Sequence, residues 1–499
     1  MTVLLLAAAL VVAGPLADVE QAFVAFRDAD DTERLEPGPR HRRTRDARAE
    51  TVRQRLDAVD VTTLSPADRR AYDAMRRALV TEDAASDPAT QAVYDAYRVA
   101  GSAIPFEGGT LNRLTILGRL AEEPSSERRR RLFLALQPVW TSIAGSYPQL
   151  VTARRTAWAT SGEGTPFARK AREWGMTLGE LEAALTGILA AWRDHRAGTA
   201  VVEPWDWYFA NGAASRRAAS RLTLATTIAT AVRYYRDLGA DPKPLGVRLD
   251  LTPRASKDPV AFTDFIRHGR YERGGWRDGR FLVSATYRTG GLGNLYELMH
   301  ELGHAAHIAA IRTRPAWNDW PDSDVLTEAL ADMLGVEAYE PAFLRGTVGA
   351  EVDPADAARE RLAGSMMDVA WALFEIRAHA DGAGAPNAIW GEIVETYLRI
   401  EPHAELSWWA MRGQLVDAPG YMTNYALGAA MTESLRARLR ALRGDAVFET
   451  PTPALYRELA GRLYRFGLER TSREVVEEFL GGPLDTSALE GAIAGTATP

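Results

Sequence analysis

Three of the eight histidines fall close together, in the segment NLYELMHELGHAAHIAA at positions 294–310. His300, Glu301 and His304 form an H-E-x-x-H motif. Positions i and i+4 of a helix share one face, so both imidazoles can bind one metal ion. Glu301 then lies beside the ion, where its carboxylate can hold and activate a water. The motif therefore predicts a metal centre suited to hydrolysis.

A zinc ion held by two histidines needs a third protein ligand and an open position for water. Position 310 is Ala, so a third histidine at the H-x-x-G-x-x-H spacing is absent. The next suitable acid on a predicted helix is Glu328, in DVLTEALADMLG, and Asp332 follows one turn later on the same face. Glu328 is the candidate ligand, and Asp332 is the candidate acceptor for the Nδ1–H of a ligand histidine. Asp322 and Asp324 are the alternatives and look more like helix-start residues.

Several segments together resemble a known family. HELGHAAH, followed by a glutamate at this distance, resembles the oligopeptidase group of gluzincins, which includes thimet oligopeptidase and oligoendopeptidase F, with angiotensin-converting enzyme as a relative. The segments PWDWY at 204–208 and GVRLDLTPRASK at 246–257 are similar to two further patterns of the family. TEALADML is close to the corresponding helix of angiotensin-converting enzyme. The likeness covers about residues 200–440.

The resemblance implies a fold, a cofactor and a reaction. The implied fold is mainly α: a two-lobed helical peptidase fold with a small β-sheet beside the H-E-x-x-H helix and a deep substrate channel. One Zn²⁺ per chain would be held by His300, His304 and Glu328, although cobalt or manganese also suits these ligands. The implied activity is that of a zinc metallopeptidase, which hydrolyses peptide bonds of short peptides with Glu301 as general base.

The resemblance also extends to a tyrosine loop. Gly420–Tyr425 resembles the family's loop for the developing oxyanion, which makes Tyr421 and Tyr425 candidate catalytic residues. The histidine that the family has just before these tyrosines is absent here. The third tyrosine position of the family pattern holds Gly428.

Substrate contacts are expected from the strand before the metal helix. The predicted strand Phe281–Tyr287 matches the family's substrate-pairing edge strand, so Ser284, Ala285 and Thr286 are candidate substrate-binding residues. An ordinary sheet edge is the alternative interpretation. His307 lies close to the metal face of the helix and either supports the metal centre, faces substrate, or is an ordinary helix histidine.

Two other functions remain open. A dipeptidyl carboxypeptidase of the angiotensin-converting-enzyme type would need a cation for the C-terminal carboxylate, and Arg412 and Gln414 lie near the right loop. A catalytically silent peptide-binding homologue is the second alternative. The intact set of His300, Glu301, His304 and Glu328 argues against it.

Most of the chain is predicted to be helical. Apolar residues recur every three or four positions from about 48 to 196, and Pro138 is expected to kink or split the helical stretch Glu127–Ala157. Between 201 and 287 the pattern favours short strands at Trp205–Phe209, Val247–Leu251 and Phe281–Tyr287. A Gly-rich charged loop, Gly269–Arg280, precedes the last of them. Helices are expected again after Asn294.

The predicted organisation has four parts. Residues 1–17 are interpreted as a signal peptide, 18–200 as an N-terminal helical region, 201–485 as the catalytic region and 486–499 as a flexible tail. The apolar run MTVLLLAAALVVAGPLA is too short for a membrane span and has the length of a signal-peptide core, with Ala17 as a possible cleavage residue. The protein is therefore expected to be exported, periplasmic or secreted, or else cytoplasmic if this run is not a signal peptide.

Composition excludes several classes of function. The 499 residues are 46% hydrophobic and 25% charged, as in ordinary globular proteins. The net charge of −7 lacks the basic excess of a nucleic-acid surface. The absence of cysteine excludes disulfides, thiolate metal ligands and a cysteine nucleophile. The expected partners are short peptides, with no nucleic acid and no membrane span, and the oligomeric state stays open.

Overall fold

The computed structural model describes residues 14–81, 88–162, 164–195, 200–254, 257, 260–272, 275–382 and 384–496. Helices dominate this part of the chain, which confirms the mainly α prediction. The helices before the central sheet are α1 (Ala17–Leu35), α2 (Pro39–Asp57), α3 (Pro66–Thr81), α4 (Pro88–Ser102), α5 (Arg113–Glu122), α6 (Ser126–Ala135), α7 (Gln137–Ala144), α8 (Tyr147–Ser161), α9 (Pro166–Glu173), α10 (Leu178–His195), α11 (Trp207–Asn211), α12 (Ala213–Ala218) and α13 (Leu224–Leu238).

The second half of the chain carries the metal-binding candidates. Its helices are α14 (Leu292–Ala310), α15 (Asp324–Gly335), α16 (Pro341–Phe343), α17 (Pro354–Asp381), α18 (Pro386–Ile393), α19 (Gln414–Asp417), α20 (Met422–Arg443), α21 (Pro453–Leu459), α22 (Ser472–Leu480) and α23 (Ser487–Ala494). The strands are β1 (Ile104–Phe106), β2 (Gly109–Leu111), β3 (Val247–Asp250), β4 (Phe262–Arg267), β5 (Arg270–Glu272), β6 (Gly275–Arg277) and β7 (Arg280–Ser284).

Local sequence explains where the helices of the first half break. The stretch around Pro138 is divided between α6 and α7, because α6 ends at Ala135 and Pro138 lies in the first turn of α7. Proline is tolerated there, because the N–H groups in the first turn of a helix have no acceptor within the helix. The predicted split is confirmed.

A small three-stranded sheet lies against the H-E-x-x-H helix. Its order is β3-β7-β4, with β3 parallel and β4 antiparallel to β7. Phe265 and Phe281 pack with Ile308 and Ile311, at the end of α14, in one hydrophobic cluster. The small sheet beside the metal helix is therefore confirmed.

The GVRLDLTPRASK segment closes one end of this sheet. Asp250, the last residue of β3, accepts hydrogen bonds from Arg254 at 2.7 and 2.8 Å. Lys257 donates to Asp250 and to the backbone oxygen of Ala285, just after β7. These contacts tie the ends of β3 and β7 together, so this family-like pattern is structural here.

One hydrophobic core crosses the predicted boundary at residue 200. It takes buried residues from Tyr97 to Ile493. The helices α1, α2 and α3 form a second cluster that includes Ala316 and Trp317. The change of core thus falls within the first hundred residues, because the helices on both sides of residue 200 bury their apolar faces against each other.

Two local predictions are wrong. The segment Trp205–Phe209 was expected to be a strand, but α11 begins at Trp207, whose ring is buried. The segment 486–499 was expected to be a flexible tail, but 487–494 form α23, and Leu489 and Ile493 are buried against the core. Burial of apolar side chains decides both cases, since short segments take their structure from packing.

The predicted signal peptide lies mostly outside the described residues, which begin at 14. Leu16 is only 1% exposed and packs in the second cluster with Val19 and Phe23 of α1. Within the described ranges, no helix combines the length and the apolar character that crossing a membrane requires.

Candidate metal centre

The centre is built where α14 and α15 approach each other closely. Gly303, inside the H-E-x-x-H motif, faces Ala331, and a Cβ atom at Gly303 would lie 2.8 Å from the Cα of Ala331. Only glycine allows this approach without moving one helix. The approach brings Glu328 of α15 beside the two motif histidines of α14.

His300, His304 and Glu328 converge on one point. The Oε2 atom of Glu328 lies 3.3 Å from Nε2 of His300 and 3.9 Å from Nε2 of His304. One ligand atom from each residue lies within 4.8 Å of the others. Donors at about 2.0–2.2 Å from a tetrahedral zinc ion are separated by about 3.3 Å, close to these values. The three residues could therefore hold one metal ion.

An orphaned oxygen supports this assignment. Oε2 of Glu328 is buried and, among the described residues, has no hydrogen-bond partner. A buried carboxylate oxygen without a partner is costly, and a cation removes that cost. The set of two imidazoles and one carboxylate also matches the ligands of catalytic zinc sites.

Asp332 orients the first histidine. Its Oδ1 atom lies 2.7 Å from Nδ1 of His300 and accepts a hydrogen bond of 2.7 Å from the hydroxyl of Tyr296. Accepting the Nδ1 proton leaves the Nε2 lone pair of His300 directed toward Glu328 and the metal position. This is the contact that the sequence predicts for Asp332.

Replacing Asp332 by Asn is expected to weaken metal affinity about 10- to 100-fold, because an amide orients His300 less firmly and lowers its basicity. Competition with a chromophoric chelator measures this affinity. Asp356→Asn, at a half-buried pair with Arg359 on α17, is the matched control. An unchanged affinity in the Asp332→Asn variant would contradict the proposed role.

The two histidines have opposite protonation tendencies. Burial opposes a charge on His300, but the carboxylates of Asp332 and Glu328 outweigh it and raise the pKa of His300 well above its usual value. Burial lowers the pKa of His304 well below its usual value, and the charge of His300 acts in the same direction. His304 is therefore neutral and ready to bind a metal, whereas protons compete with a metal for His300.

Glu301 is held by the sheet. The hydroxyl of Thr263, in β4, donates a hydrogen bond of 2.6 Å to Oε2 of Glu301. Burial raises the pKa of Glu301 to about 7, while His300 and Thr263 oppose the shift. A carboxylate with a pKa near neutrality can both accept and return a proton. Its position between the histidines and β4 suits a general base.

Both candidate tyrosines lie at the centre, with different contacts. The hydroxyl of Tyr421 donates to Oε1 of Glu328 at 2.8 Å. The Tyr425 ring packs against Tyr421 with centroids 5.4 Å apart, and within the described chain its hydroxyl makes no hydrogen bond. Gly428, at the third tyrosine position of the family pattern, packs beside Glu328. Tyr421 thus supports the candidate ligand Glu328, and the hydroxyl of Tyr425 is available to donate a hydrogen bond to a substrate.

A buried glutamate fixes the start of the tyrosine loop. Oε1 of Glu375, on α17, accepts a hydrogen bond of 2.8 Å from the backbone N–H of Gly420. Gly420 has φ of +88°, a left-handed conformation that favours glycine. The loop that carries Tyr421 is therefore held in place by this hydrogen bond to α17.

His307 does not face the cavity at the centre. It is fully buried, and its ring packs against Trp320 and Tyr464 with centroids 6.0 and 5.3 Å away. Trp320 also contacts the ring of His304, at 5.6 Å. His307 therefore supports the surroundings of His304 through Trp320, and of the three alternatives the substrate-facing one does not agree with its full burial.

Three consecutive cavities form a groove past the centre. The first, of about 390 Å³, is called the histidine cavity and is lined by His300, Glu301, His304, Glu328, Tyr421 and Tyr425. The second, of about 310 Å³, is called the arginine cavity and adds to His300, Glu301 and Tyr425 the residues Arg113, Glu297, Arg361, Asp368, Arg412 and Gln414. The third, of about 330 Å³, is called the distal cavity and shares Tyr339 and Glu360 with the second.

No family model and no curated protein sequence matches the chain. Solved structures do match over nearly the whole length. Metallocarboxypeptidase 1 of Trypanosoma cruzi has a TM-score of 0.61 and 14% identity, over 97% of this chain and 99% of that one. The M32 carboxypeptidase of Deinococcus radiodurans R1 has a TM-score of 0.56 and 17% identity, over 97% and 99% of the two chains. A protein described as an oligoendopeptidase F has a TM-score of 0.61 and 14% identity, over 96% of each.

The chain has the fold of these peptidases. The fold expected from the family resemblance is therefore confirmed.

Within this peptidase fold, the strand that borders the centre is β4 rather than β7. Both sides of β7 are paired, because it is the middle strand of the sheet, so the predicted edge strand Phe281–Tyr287 is wrong. Ser284 and Ala285 are buried, and Thr286 lines the distal cavity. Phe262, Thr263 and Asp264 of β4 line the histidine cavity instead.

Sequence reasoning missed three residues of the peptidase fold's groove. Tyr296 lies four residues before His300, on the same face of α14, and that spacing could have identified it. Thr263 and Arg113 lie far from the motif in the chain and carry no local signal. The sequence points to Arg412 and Gln414 only for the alternative function of a dipeptidyl carboxypeptidase. Both residues line the arginine cavity.

Proposed function

We propose that the chain is a zinc-dependent metallopeptidase, an oligopeptidase-like hydrolase that cleaves peptide bonds of short peptides and holds one Zn²⁺ per chain. The observation that carries this proposal is the unpartnered Oε2 of Glu328 facing both motif imidazoles, with Glu301 beside them. The shared fold with peptidases supports it.

The residues divide the chemistry among them. His300, His304 and Glu328 would hold the zinc ion, which when bound supplies Lewis-acid activation of a water and of the peptide carbonyl. Glu301 takes a proton from the attacking water and passes it to the leaving amine. Thr263 holds Oε2 of Glu301, and Oε1, which accepts no hydrogen bond from a described residue, is available for the proton.

A peptide would lie along β4. This strand pairs with β7 on one side only, and its first residues line the histidine cavity. An extended peptide added to the other side would satisfy its own backbone groups and would pass beside Glu301. This role replaces the one expected for Ser284, Ala285 and Thr286.

The test is mass spectrometry of a mixed peptide library incubated with zinc-loaded protein, with the Glu301→Gln variant run alongside. Internal or terminal cuts made only by the wild type are expected. A folded, zinc-loaded wild type that cuts nothing would contradict the proposal and favour a silent peptide-binding protein.

The tyrosines are expected to separate by function. Tyr425→Phe should lower kcat by about 10²- to 10³-fold, the usual effect of losing one oxyanion donor, with metal affinity unchanged. Tyr421→Phe should weaken metal affinity, because Glu328 loses its hydrogen bond. Steady-state kinetics and chelator competition on both variants measure this. The reverse pattern would assign the oxyanion to Tyr421.

A carboxypeptidase is the second candidate. Arg412 and Gln414 line the arginine cavity together with His300 and Glu301, so a cation lies within the same groove as the centre. Release of one or two residues from the C-terminus in the library experiment would favour this candidate, and internal cuts would favour an endopeptidase.

We also propose that the protein is exported, on the basis of its N-terminal apolar run. A cut after Ala17 would remove Leu16 from the second hydrophobic cluster. The mass of the protein recovered from periplasmic, secreted and cytoplasmic fractions tests both export and the cleavage position.

A further inference from the structure

Three arginines line the arginine cavity, and two of them are neutralised within it. Arg412 donates to Asp368, and its guanidinium lies 4.5 Å from the ring centroid of Trp371. Arg361 pairs with Glu433. Each of these two positive charges therefore has a carboxylate of the chain beside it.

Arg113 has no such partner. It is the first residue of α5, follows the helix-capping Asn112, and is only 8% exposed. Its guanidinium lies 6.0 Å from the ring of Tyr97, and it forms no hydrogen bond or ion pair with any described residue. A buried charge without a counter-charge is costly, so such a group in a cavity is a site for an anion.

The surroundings of Arg113 do not supply that anion. Glu297, on α14, is within electrostatic range, since the charge of Arg113 acts on it, but the two form no ion pair. Burial raises the pKa of Glu297, and the charge of Arg113 opposes that rise. Burial raises the pKa of Tyr208, and the positive charges of Arg412 and Arg113 both oppose that rise. The arginine cavity is also lined by six carboxylates, those of Glu297, Glu301, Asp332, Glu360, Asp368 and Glu433. None of them forms an ion pair with Arg113, so this guanidinium has no carboxylate partner among the described residues.

We propose that Arg113 binds a carboxylate of the peptide substrate and thereby selects peptides that place a carboxylate in the arginine cavity. The inference rests on the proposed peptidase function and adds the substrate class. The carboxylate is that of the C-terminus or of an acidic side chain, and both present the same two oxygens to the planar guanidinium.

The experiment compares hydrolysis of matched peptides. One library peptide that the wild type cleaves is made with a free C-terminus, with a C-terminal amide, and with each Glu or Asp replaced by its amide. The wild type is expected to cleave the form with the decisive carboxylate about 10- to 100-fold more efficiently, the usual value of one charged hydrogen-bonded pair. The arm that loses this preference identifies the source of the carboxylate.

Variants then assign the preference to a residue. Arg113→Gln is expected to abolish it, mainly by raising KM for the carboxylate peptide, and Arg113→Lys should retain part of it. Arg131→Gln removes an exposed arginine of α6 that pairs with Glu107, and it should leave the preference unchanged. The unfolding temperature of Arg113→Gln should not fall, because no ion pair is broken.

Several results would overturn the assignment. These are a wild type that cleaves all forms equally, a preference that persists in folded Arg113→Gln, and a preference lost only in Arg412→Gln. Each of them leaves the peptidase function standing. A wild type that cleaves no peptide contradicts the proposed peptidase function itself, and this outcome differs from the three results above, in all of which the wild type cleaves peptides.

Discussion

Replacing Glu301 by Gln is expected to lower kcat by roughly 10²- to 10⁴-fold, the range for loss of a positioned general base. Glutamine keeps the size of the side chain and can still accept the hydrogen bond from Thr263. The candidate metal ligands His300, His304 and Glu328 are unchanged in this variant. Activity should therefore fall while metal content and unfolding temperature stay at wild-type values.

The structural reason is the environment of this one carboxylate. It is buried beside His300, and its pKa of about 7 allows proton uptake from water and release to an amine. The amide of Gln can do neither. Single-turnover kinetics on a cleaved library peptide measure the effect. Glu392→Gln, at an exposed acid on α18, is the matched control. A folded, metal-containing Glu301→Gln variant with the wild-type rate would contradict the assignment.

Replacing His304 by Ala is expected to abolish metal binding and activity together. The variant loses one of three ligands, and a centre of one imidazole and one carboxylate holds zinc far more weakly. Metal content measured by elemental analysis should drop from one ion per chain to near zero. His403→Ala, at a histidine paired with Glu203 and Glu405 outside the groove, should keep the full content.

Stability gives a second readout of the same change. Binding to the folded state at 100 times Kd stabilises it by about 2.7 kcal/mol. The wild type should therefore lose unfolding temperature when a chelator is added, and His304→Ala should not respond. A chelator response equal to that of the wild type would show that the metal binds elsewhere.

Much of the centre was predictable because it is local in sequence. His300, Glu301 and His304 lie within two turns of one helix, so their shared face follows from helical periodicity alone. Glu328 and Asp332 are likewise one turn apart on α15. The sequence thus predicts which of these residues are neighbours within each helix. The family resemblance predicts that the two helices place them at one centre.

The sheet was harder to predict because strand pairing is not local. Phe281–Tyr287 was recognised as a strand, but its central position depends on β3 and β4, which approach it from other parts of the chain. β4, with the sequence FTDFIR, has a weak alternation and was not recognised. The segment Trp205–Phe209 has aromatic residues typical of strands, and packing made it helical instead.

The sequence by itself determined the helical class and the H-E-x-x-H motif with Glu301 inside it, since these depend on residue types a few positions apart. Only the tertiary structure decided that β4 borders the centre, that Tyr421 contacts Glu328, and that Arg113 faces the same groove unpaired. Such contacts join residues tens or hundreds of positions apart. They depend on which apolar faces are buried together and on the close approach of helices such as α14 and α15 at Gly303. No periodicity within one segment carries that information.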